Sequence, residues 1–389
     1  MPTPPSASRF GAPKKNAEAP LRASGPVQAP AGRDSWEALR LELEQLPQAP
    51  VPRTHPRNWG FRVKRGLDFI GHGRFVTARF FAKTNPYPKP FRHVTFATED
   101  GVEIAGWLGP QRMTRPSEWG LVVVPGMFSS KDDTVHKRRT LRIWRTWRIP
   151  VLAIDLRAFG ESRGIATAGW KEAFDVHAAA KYLAEQTGVK RVAVIAESLG
   201  GAGALNALAL DSQSGTNLMT GGMLCFSAFV DARDAVRHIS EKPSLDHPFT
   251  AAWAGFRRLL GVKTMGGYER FDEYIEDAAR VNGLKNADEL YDLANPKWKV
   301  ALMRSPVLLV HAVDDSVVPV RHARRMERYA ESHEHIQTLV VPWGGHTGFE
   351  PMDPWWFWEV CRRFFGAANG VELESPVGQA SNGSEKSAE

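Results

Sequence analysis

Cysteine is scarce in this chain of 389 residues, which contains only Cys225 and Cys361. Both lie in apolar runs, and two cysteines do not make the disulfide framework of a small secreted protein. The sequence also lacks the roughly 20-residue apolar stretch of a spanning helix, and its first five residues, Met-Pro-Thr-Pro-Pro, contain no apolar signal core. These absences predict a soluble, cytoplasmic protein whose cysteines are not nucleophiles.

Metal and phosphate motifs are missing as well. Histidine, cysteine and carboxylate residues do not cluster at metal-ligand spacing. The glycine-rich pieces 200–203 and 344–345 lack the Lys-Ser/Thr pair of a phosphate-binding loop. The sequence therefore predicts no metal and no cofactor.

The chain is basic, with a net charge of +7 and a pI near 9.4. Its basic residues are spread along helical segments and form no nucleic-acid signature, which argues against a nucleic-acid partner. Segment 61–70 mixes basic and apolar residues, so peripheral contact with a membrane is one interpretation and packing on its own domain is the other. The oligomeric state is left open.

Composition divides the chain into segments. Residues 1–57 are rich in Pro and Ala and predict a flexible tail, interrupted by a short helix over 36–46 that Asp34 or Ser35 caps. Residues 58–90 predict a helical extension, and residues 368–389 a disordered C-terminal tail.

Strands and helices alternate between these ends. A hairpin is predicted over 91–98 and 102–108, because Asp100-Gly101 supplies the turn that hairpins prefer. Six short apolar runs follow: 121–124, 151–154, 192–195, 223–226, 307–310 and 339–341. Such runs, separated by helices, are typical of strands buried on both faces of a parallel sheet. We therefore expect an α/β fold with a mostly parallel, eight-stranded sheet flanked by helices, formed by 91–227 and 305–367.

The alternation is interrupted once, over residues 228–304. Helical patterns at 249–260, 270–282 and 288–293 predict a helical cap inserted into the sheet domain. A separate second domain is the alternative, but the strand pattern resumes at Val307 and needs the earlier sheet to pack against.

The apolar run 192–195 leads into Ala196-Glu197-Ser198-Leu199-Gly200, followed by a helical stretch. This is the pattern of a nucleophile elbow, a tight strand-to-helix turn that needs small residues two positions before and after the serine. Ala196 and Gly200 meet that need. A serine hydroxyl is a poor nucleophile at neutral pH and requires a base, which a carboxylate orients.

Candidates for both partners follow later strands. Asp314 and Asp315 come after the run 307–310, and His346 lies after the last run, in Gly344-Gly345-His346-Thr347-Gly348. Catalytic groups of open α/β sheets lie beyond the carboxyl ends of strands. The order serine, aspartate, histidine is that of α/β hydrolases.

From residue 91 to residue 365 the sequence resembles the α/β-hydrolase superfamily. The resemblance rests on four elements: Val123-Val124-Pro125-Gly126-Met127, Asp155-Leu156-Arg157-Ala158-Phe159-Gly160-Glu161-Ser162, the Ser198 elbow, and the Asp315 and His346 turns. It implies an α/β-hydrolase fold and a catalytic triad. The family's acid lies four residues before the proline matching Pro319, which favours Asp315 over Asp314.

The resemblance also implies an oxyanion hole formed by the backbone N–H groups of Met127 and Leu199. Many members carry His-Gly where this chain has Pro125-Gly126, a departure that affects the loop. Asp155 and Arg157 match a turn that is structural in most members. For His311 we expect packing near the Asp315 turn, and for Glu197 either a structural pairing or a place at the pocket edge.

These observations predict a serine hydrolase that cleaves a carboxylic ester or thioester through an acyl-serine intermediate. Five apolar cap residues are candidates for an acyl pocket or for the core of the cap: Phe249, Trp253, Phe256, Leu259 and Leu260. The motifs are similar to the YheT-like branch, which implies a lipid or medium-chain acyl ester. The alternatives are a peptidase or acyltransferase with the same triad, and a non-catalytic binding module.

Overall fold

The structure is a computed structural model that describes residues 35–48, 86–109, 117–241 and 271–377. The predicted helix 249–260, with its five candidate pocket residues, lies outside the described residues. The basic and apolar segment 61–70 and most of the predicted extension 58–90 also lie outside them.

An eight-stranded sheet forms the centre of the fold, in the order β1-β2-β4-β3-β5-β6-β7-β8. The strands are β1 Arg92–Ala97, β2 Glu103–Leu108, β3 Trp119–Val124, β4 Val151–Ile154, β5 Arg191–Glu197, β6 Met223–Phe226, β7 Val307–Ala312 and β8 Ile336–Val341. The pairs β1–β2 and β2–β4 are antiparallel, and the other five pairs are parallel. The predicted α/β fold with a mostly parallel sheet is confirmed.

The β1–β2 hairpin turns where Asp-Gly predicted it. Gly101 has φ +80°, a left-handed conformation that glycine adopts without a steric cost. The Thr98 N–H donates to the Val102 carbonyl oxygen at 2.9 Å and closes the turn. The hairpin forms one edge of the sheet and pairs with β4.

Helices cover both faces of the sheet. They are α1 Trp36–Glu44, α2 Thr134–Trp147, α3 Glu172–Thr187, α4 Ser198–Gln213, α5 Ala232–Glu241, α6 Phe271–Val281, α7 Ala287–Ala294, α8 Arg321–Ala330, α9 Phe349–Met352 and α10 Pro354–Asn369. Along β3, Val122 and Val124 join one apolar cluster with α3 and α4, while Leu121 and Val123 join another with α1 and α10. This double burial explains why the strands have continuous apolar sequences.

Helix α1 belongs to the second of these clusters. Ser35 caps it, since its Oγ accepts the Ala38 N–H at 3.0 Å. The apolar face predicted from the sequence is buried and consists of Trp36, Leu39, Leu43 and Leu46. Each such side chain contributes roughly 1.5–3 kcal/mol on full burial, so α1 is part of the core, although the sequence predicts a tail around it.

Between β6 and β7 the chain leaves the sheet and forms α5, α6, α7 and a 3₁₀ helix, Pro296–Leu302. Asn206 of α4 ties this region to the sheet domain, because its Nδ2 donates to the carbonyl oxygens of Gly169 at 3.0 Å and Ala294 at 2.8 Å. The Tyr274 hydroxyl also accepts the Ala166 N–H at 2.9 Å. The described part of the predicted cap therefore packs directly on the helix that begins at Ser198.

The C-terminal boundary differs from the sequence prediction. Helix α10 continues to Asn369, and residues 370–377 are described, whereas the disordered tail was predicted from 368. The Trp147 indole N–H donates to the Glu374 carbonyl oxygen at 2.9 Å. The tail was predicted from local composition alone. A hydrogen bond between its backbone and a tryptophan far away in sequence cannot be recognised from that composition. Within the described segments, no helix is both long and apolar enough to cross a membrane.

Candidate active site

Ser198 lies at the sharp turn between β5 and α4. Its φ of +51° is a left-handed conformation that a residue with a side chain adopts at a cost of about 1–2 kcal/mol. A Cβ atom at Gly200 would lie 2.2 Å from the Pro125 carbonyl oxygen, so this position accepts only glycine without movement. The geometry explains the small residue that the elbow pattern requires after the serine.

His346 is presented by the loop after β8. Gly344 and Gly345 have φ values of +149° and +56°, which give the backbone the bend that turns the imidazole toward β5. The Gly345 N–H donates to Asp314 Oδ1 at 2.8 Å, so Asp314 holds this loop. His346 Nε2 lies 2.8 Å from Ser198 Oγ.

Asp315 lies on the other side of the imidazole. His346 Nδ1 is 3.0 Å from Asp315 Oδ2 and 3.1 Å from Oδ1. The N–H groups of Val317 and Val318 each donate to Oδ1 at 2.9 Å and fix the carboxylate. Burial alone would raise the pKa of Asp315, but the charge and hydrogen bond of His346 hold that pKa below its ordinary value. Asp315 is therefore a buried, ionised hydrogen-bond acceptor.

His311, on β7, supports the same turn. Its Nε2 donates to the Val318 carbonyl oxygen at 2.6 Å and lies 3.5 Å from Asp315 Oδ2. Burial lowers the pKa of the His311 imidazole, which favours the neutral form. Its position agrees with the expected role near the Asp315 turn.

The loop after β3 lies against the elbow. A Cβ atom at Gly126 would lie 3.1 Å from Ser198 Cβ, so the backbone passes very close to the serine. In the part of the chain that the structure describes, the N–H groups of Met127 and Leu199 donate to no other group. An oxyanion hole needs two donors aimed at the position of the oxyanion, and that Met127 and Leu199 supply them stays a prediction.

Glu197, the residue before the serine, is paired in the interior. Its Oε1 lies 2.7 Å from Arg139 Nη2, and its Oε2 lies 3.8 Å from His136 Nε2. Burial alone would raise the pKa of Glu197, but Arg139 and then His136 hold it below its ordinary value. The structural pairing is thus the expectation that the geometry supports. Its partners were missed, because Arg139 is one of several basic residues along α2 and nothing in the sequence sets it apart.

The described residues also contain a carboxylate cluster with metal-ligand spacing, Asp132, Asp155 and Glu161. The Lys131 ammonium donates to all three carboxylates, at 2.8 Å to Asp132 and 2.9 Å to Asp155. Lys131 is fully buried and occupies the position that a cation would take. The ammonium already engages all three carboxylates, so this donor set does not fit a metal ion.

Comparisons with known proteins agree with this architecture. A family model described as "Alpha/beta hydrolase family" matches residues 121–355, more than half of the chain. An esterase of Pyrococcus furiosus superposes with a TM-score of 0.51 at 19% identity, covering 74% of this chain and 97% of that one. A thermostable carboxylesterase cloned from a metagenomic library superposes with a TM-score of 0.51 at 19% identity, covering 80% and 98%.

The structural likenesses show a shared fold, and the family match extends over β3 to β8 together with the loops that carry Ser198, Asp315 and His346. The sequence resemblance at superfamily level is therefore confirmed. The chain belongs to the alpha/beta hydrolase family.

Proposed function

We propose that this protein hydrolyses a carboxylic ester or thioester, with Ser198 as nucleophile, His346 as base and acid, and Asp315 as orienting carboxylate. One observation carries the proposal: a continuous line of hydrogen-bond distances from Asp315 through His346 to Ser198 Oγ, at an elbow where the serine backbone is strained. Strained conformations persist where the surrounding structure enforces them, and they concentrate at functional sites.

Acylation follows from the positions of the protons. The Asp315 carboxylate only accepts hydrogen bonds, so His346 Nδ1 carries a proton and Nε2 is free to accept the Ser198 proton. Ser198 Oγ attacks the acyl carbon while Nε2 takes its proton, and a tetrahedral oxyanion forms. The bond to the alkoxide or thiolate leaving group then breaks, and that group takes the proton from Nε2.

Deacylation repeats these steps with water as the nucleophile. Nε2 takes a proton from the water as its oxygen attacks the acyl carbon, and the proton returns to Ser198 Oγ when the acid departs. The amides of Met127 and Leu199 are the proposed donors to the oxyanion in both steps. A positioned oxyanion donor is worth about 10²–10³-fold in kcat.

The proposed substrate class is supported by the two proteins that share this fold, an esterase and a carboxylesterase, and by the segment inserted between β6 and β7. The cap, proposed to span 228–304, sets which acyl chain reaches Ser198. An acyl or lipid-like chain is the proposed preference, and membership of the YheT-like branch stays a prediction. The five candidate pocket residues stay predictions as well.

The test is labelling with a fluorophosphonate probe, which reacts with an activated serine, read by intact mass. The full-length wild type, Ser198→Ala and His346→Ala are compared, and circular dichroism confirms that each is folded. We expect one adduct on the wild type, none on Ser198→Ala, and labelling at least 10³-fold slower on His346→Ala. A folded wild type that is not labelled, or a Ser198→Ala variant labelled as fast as wild type, would refute the proposed function.

Substrates then separate the alternatives. A series of p-nitrophenyl esters from acetate to palmitate is compared with peptide p-nitroanilides at equal concentration. We expect ester cleavage with a chain-length optimum, and hydrolysis without an added alcohol acceptor. Faster cleavage of the anilides would identify a peptidase, and turnover that depends on an added alcohol would identify an acyltransferase.

A further inference from the structure

A buried arginine connects the elements that carry the proposed catalytic groups. Arg139 is 1% exposed and lies on α2, the helix that follows the oxyanion loop. Its Nη2 lies 2.7 Å from Glu197 Oε1, and its Nε donates to Glu350 Oε2 at 2.9 Å. Both carboxylates are themselves buried, at 8% and 7% side-chain exposure. One guanidinium thus bridges two buried carboxylates.

Each carboxylate is close in sequence to a triad residue. Glu197 directly precedes Ser198 and ends β5, and Glu350 lies on α9, four residues after His346. Arg139 therefore spans the distance between the nucleophile turn and the histidine loop. The Phe357 ring of α10 lies 4.8 Å from the guanidinium and limits its movement.

The same helix also holds the oxyanion loop. His136, one turn before Arg139, has Nε2 at 3.0 Å from Ser129 Oγ, and Ser129 lies two residues after Met127. The Ser129 hydroxyl also donates to Asp133, at the start of α2. Helix α2 therefore contacts the oxyanion loop through His136, and through Arg139 the carboxylates beside the nucleophile turn and the histidine loop.

A need for stability does not explain this arrangement. Replacing a buried ion pair with packed apolar side chains of similar volume is often neutral or stabilising, so buried ion triads are weak devices for stability. An arginine has a planar, rigid guanidinium whose donors fix the direction of each carboxylate they bind. A serine and a histidine that share a hydrogen bond need a fixed distance between their reacting atoms and a fixed orientation of both side chains.

We propose that Arg139 is a positioning residue that keeps Ser198 and His346 at reacting distance by fixing Glu197 and Glu350. This proposal deepens the proposed function and rests on Ser198 and His346 being its nucleophile and base. A misplacement of about 1 Å costs on the order of 10²-fold in rate. The loss of Arg139 acts on kcat and on probe labelling, because substrate binding does not involve the guanidinium.

The chain contains a matched control. Arg157 is 1% exposed and also bridges two carboxylates, Asp100 and Asp175. Neither partner adjoins Ser198, Asp315 or His346 in sequence. Arg139→Lys and Arg157→Lys each keep the positive charge and lose the rigid fork, so both are expected to lose thermal stability to a similar extent.

The experiment measures the fluorophosphonate labelling rate, kcat and KM of both variants and of wild type. We expect Arg139→Lys to slow labelling and kcat by about 10–100-fold with KM within about twofold, and Arg157→Lys to stay within about twofold on every parameter. Arg139→Lys labelling within threefold of wild type overturns the proposal. Equal slowing in both variants also overturns it, since a general loss of packing would then be the cause.

Two further measurements cover the remaining outcomes. If Arg139→Lys does not fold, Glu350→Gln replaces it and Asp100→Asn is the control. We expect Glu350→Gln to slow labelling and kcat by about 5–10-fold and Asp100→Asn to leave both unchanged.

The downfield proton resonance of the His346 Nδ1 hydrogen bond, identified by its loss in His346→Ala, reports the geometry without catalysis. It is expected to shift in Arg139→Lys and not in Arg157→Lys. If wild type is not labelled, the proposed function fails, and an unchanged resonance in Arg139→Lys overturns this inference separately.

Discussion

Gly200 and Gly201 in the first turn of α4 provide a matched pair of substitutions. A Cβ atom at Gly200 would lie 2.2 Å from the Pro125 carbonyl oxygen and 2.9 Å from Val124 Cγ1. A Cβ atom at Gly201 would lie 2.5 Å from Ala228 Cβ. Both alanine variants overpack a buried site, but only Gly200→Ala pushes the elbow away from the oxyanion loop.

The displacement follows from the distances. Real Cβ contacts do not fall below 3.0 Å, so Gly200→Ala requires a shift of about 0.8 Å between α4 and the Pro125 backbone. Overpacking costs about 1–3 kcal/mol, and the higher helix propensity of alanine returns up to about 1 kcal/mol. We therefore expect a net loss of about 0–3 kcal/mol of unfolding free energy in each variant. In kcat, a shift approaching 1 Å predicts a loss of up to about 10²-fold for Gly200→Ala alone.

The assay combines urea denaturation with the hydrolysis rate of a short p-nitrophenyl ester and the labelling rate. Gly201→Ala is the control, expected to lose comparable stability and to keep kcat within about threefold. A Gly200→Ala variant that retains wild-type kcat despite its loss of stability would show that the distance between α4 and the Pro125 loop does not matter for the reaction. Equal losses of kcat in both variants would also refute the reasoning.

The remaining predictions concern charge. Asp315→Asn keeps the shape of the site but removes the carboxylate that orients His346, so kcat should fall by about 10⁴-fold, measured with the best ester. Lys131→Met leaves the buried carboxylate of Asp155 without its cation and also removes the cation from the more accessible Asp132 and Glu161, so it should cost about 3–5 kcal/mol in urea denaturation at pH 7; a loss below 1 kcal/mol would contradict this. Burial would raise the pKa of Asp100, but Arg157 lowers it from 3.8 to about 2. This depressed pKa stabilises the fold above about pH 4, and the contribution is lost as pH falls toward 2. The melting temperature of wild type should therefore approach that of Asp100→Asn over this pH range, and a constant difference would contradict the ion pair.

The sequence predicted the elements whose signal is local. Continuous apolar runs indicated the buried strands, because burial on both faces requires apolar residues at every position of a strand. Asp100-Gly101 indicated the hairpin turn, because the turn needs a residue that adopts a positive φ. The elbow at Ser198 was recognisable for the same reason. The structure brings Ser198, Asp315 and His346 together, although their catalytic roles remain proposals.

Interactions between distant residues left no such signal. Arg139 pairs with Glu197 and Glu350, which lie 58 and 211 positions away, and a charged residue on a helix is most often solvated. Lys131 is similar, because the sequence does not show that three carboxylates converge on its ammonium. Whether a charge is buried depends on tertiary packing, which periodicity alone does not reveal.

Helix α1 belongs to the part of the chain that must be present for the protein to fold. The family match begins at β3, but Trp36 and Leu39 of α1 belong to the apolar cluster on one face of the sheet, where α1 packs against β8, and β2 covers the edge of β4. A fragment limited to 121–355 would expose the backbone of β4 and lose most of α10 with its aromatic side chains. An exposed strand edge beside an uncovered apolar face promotes aggregation. Such a fragment is therefore expected to be insoluble, and the folding unit of this protein extends well beyond the segment by which its family is recognised.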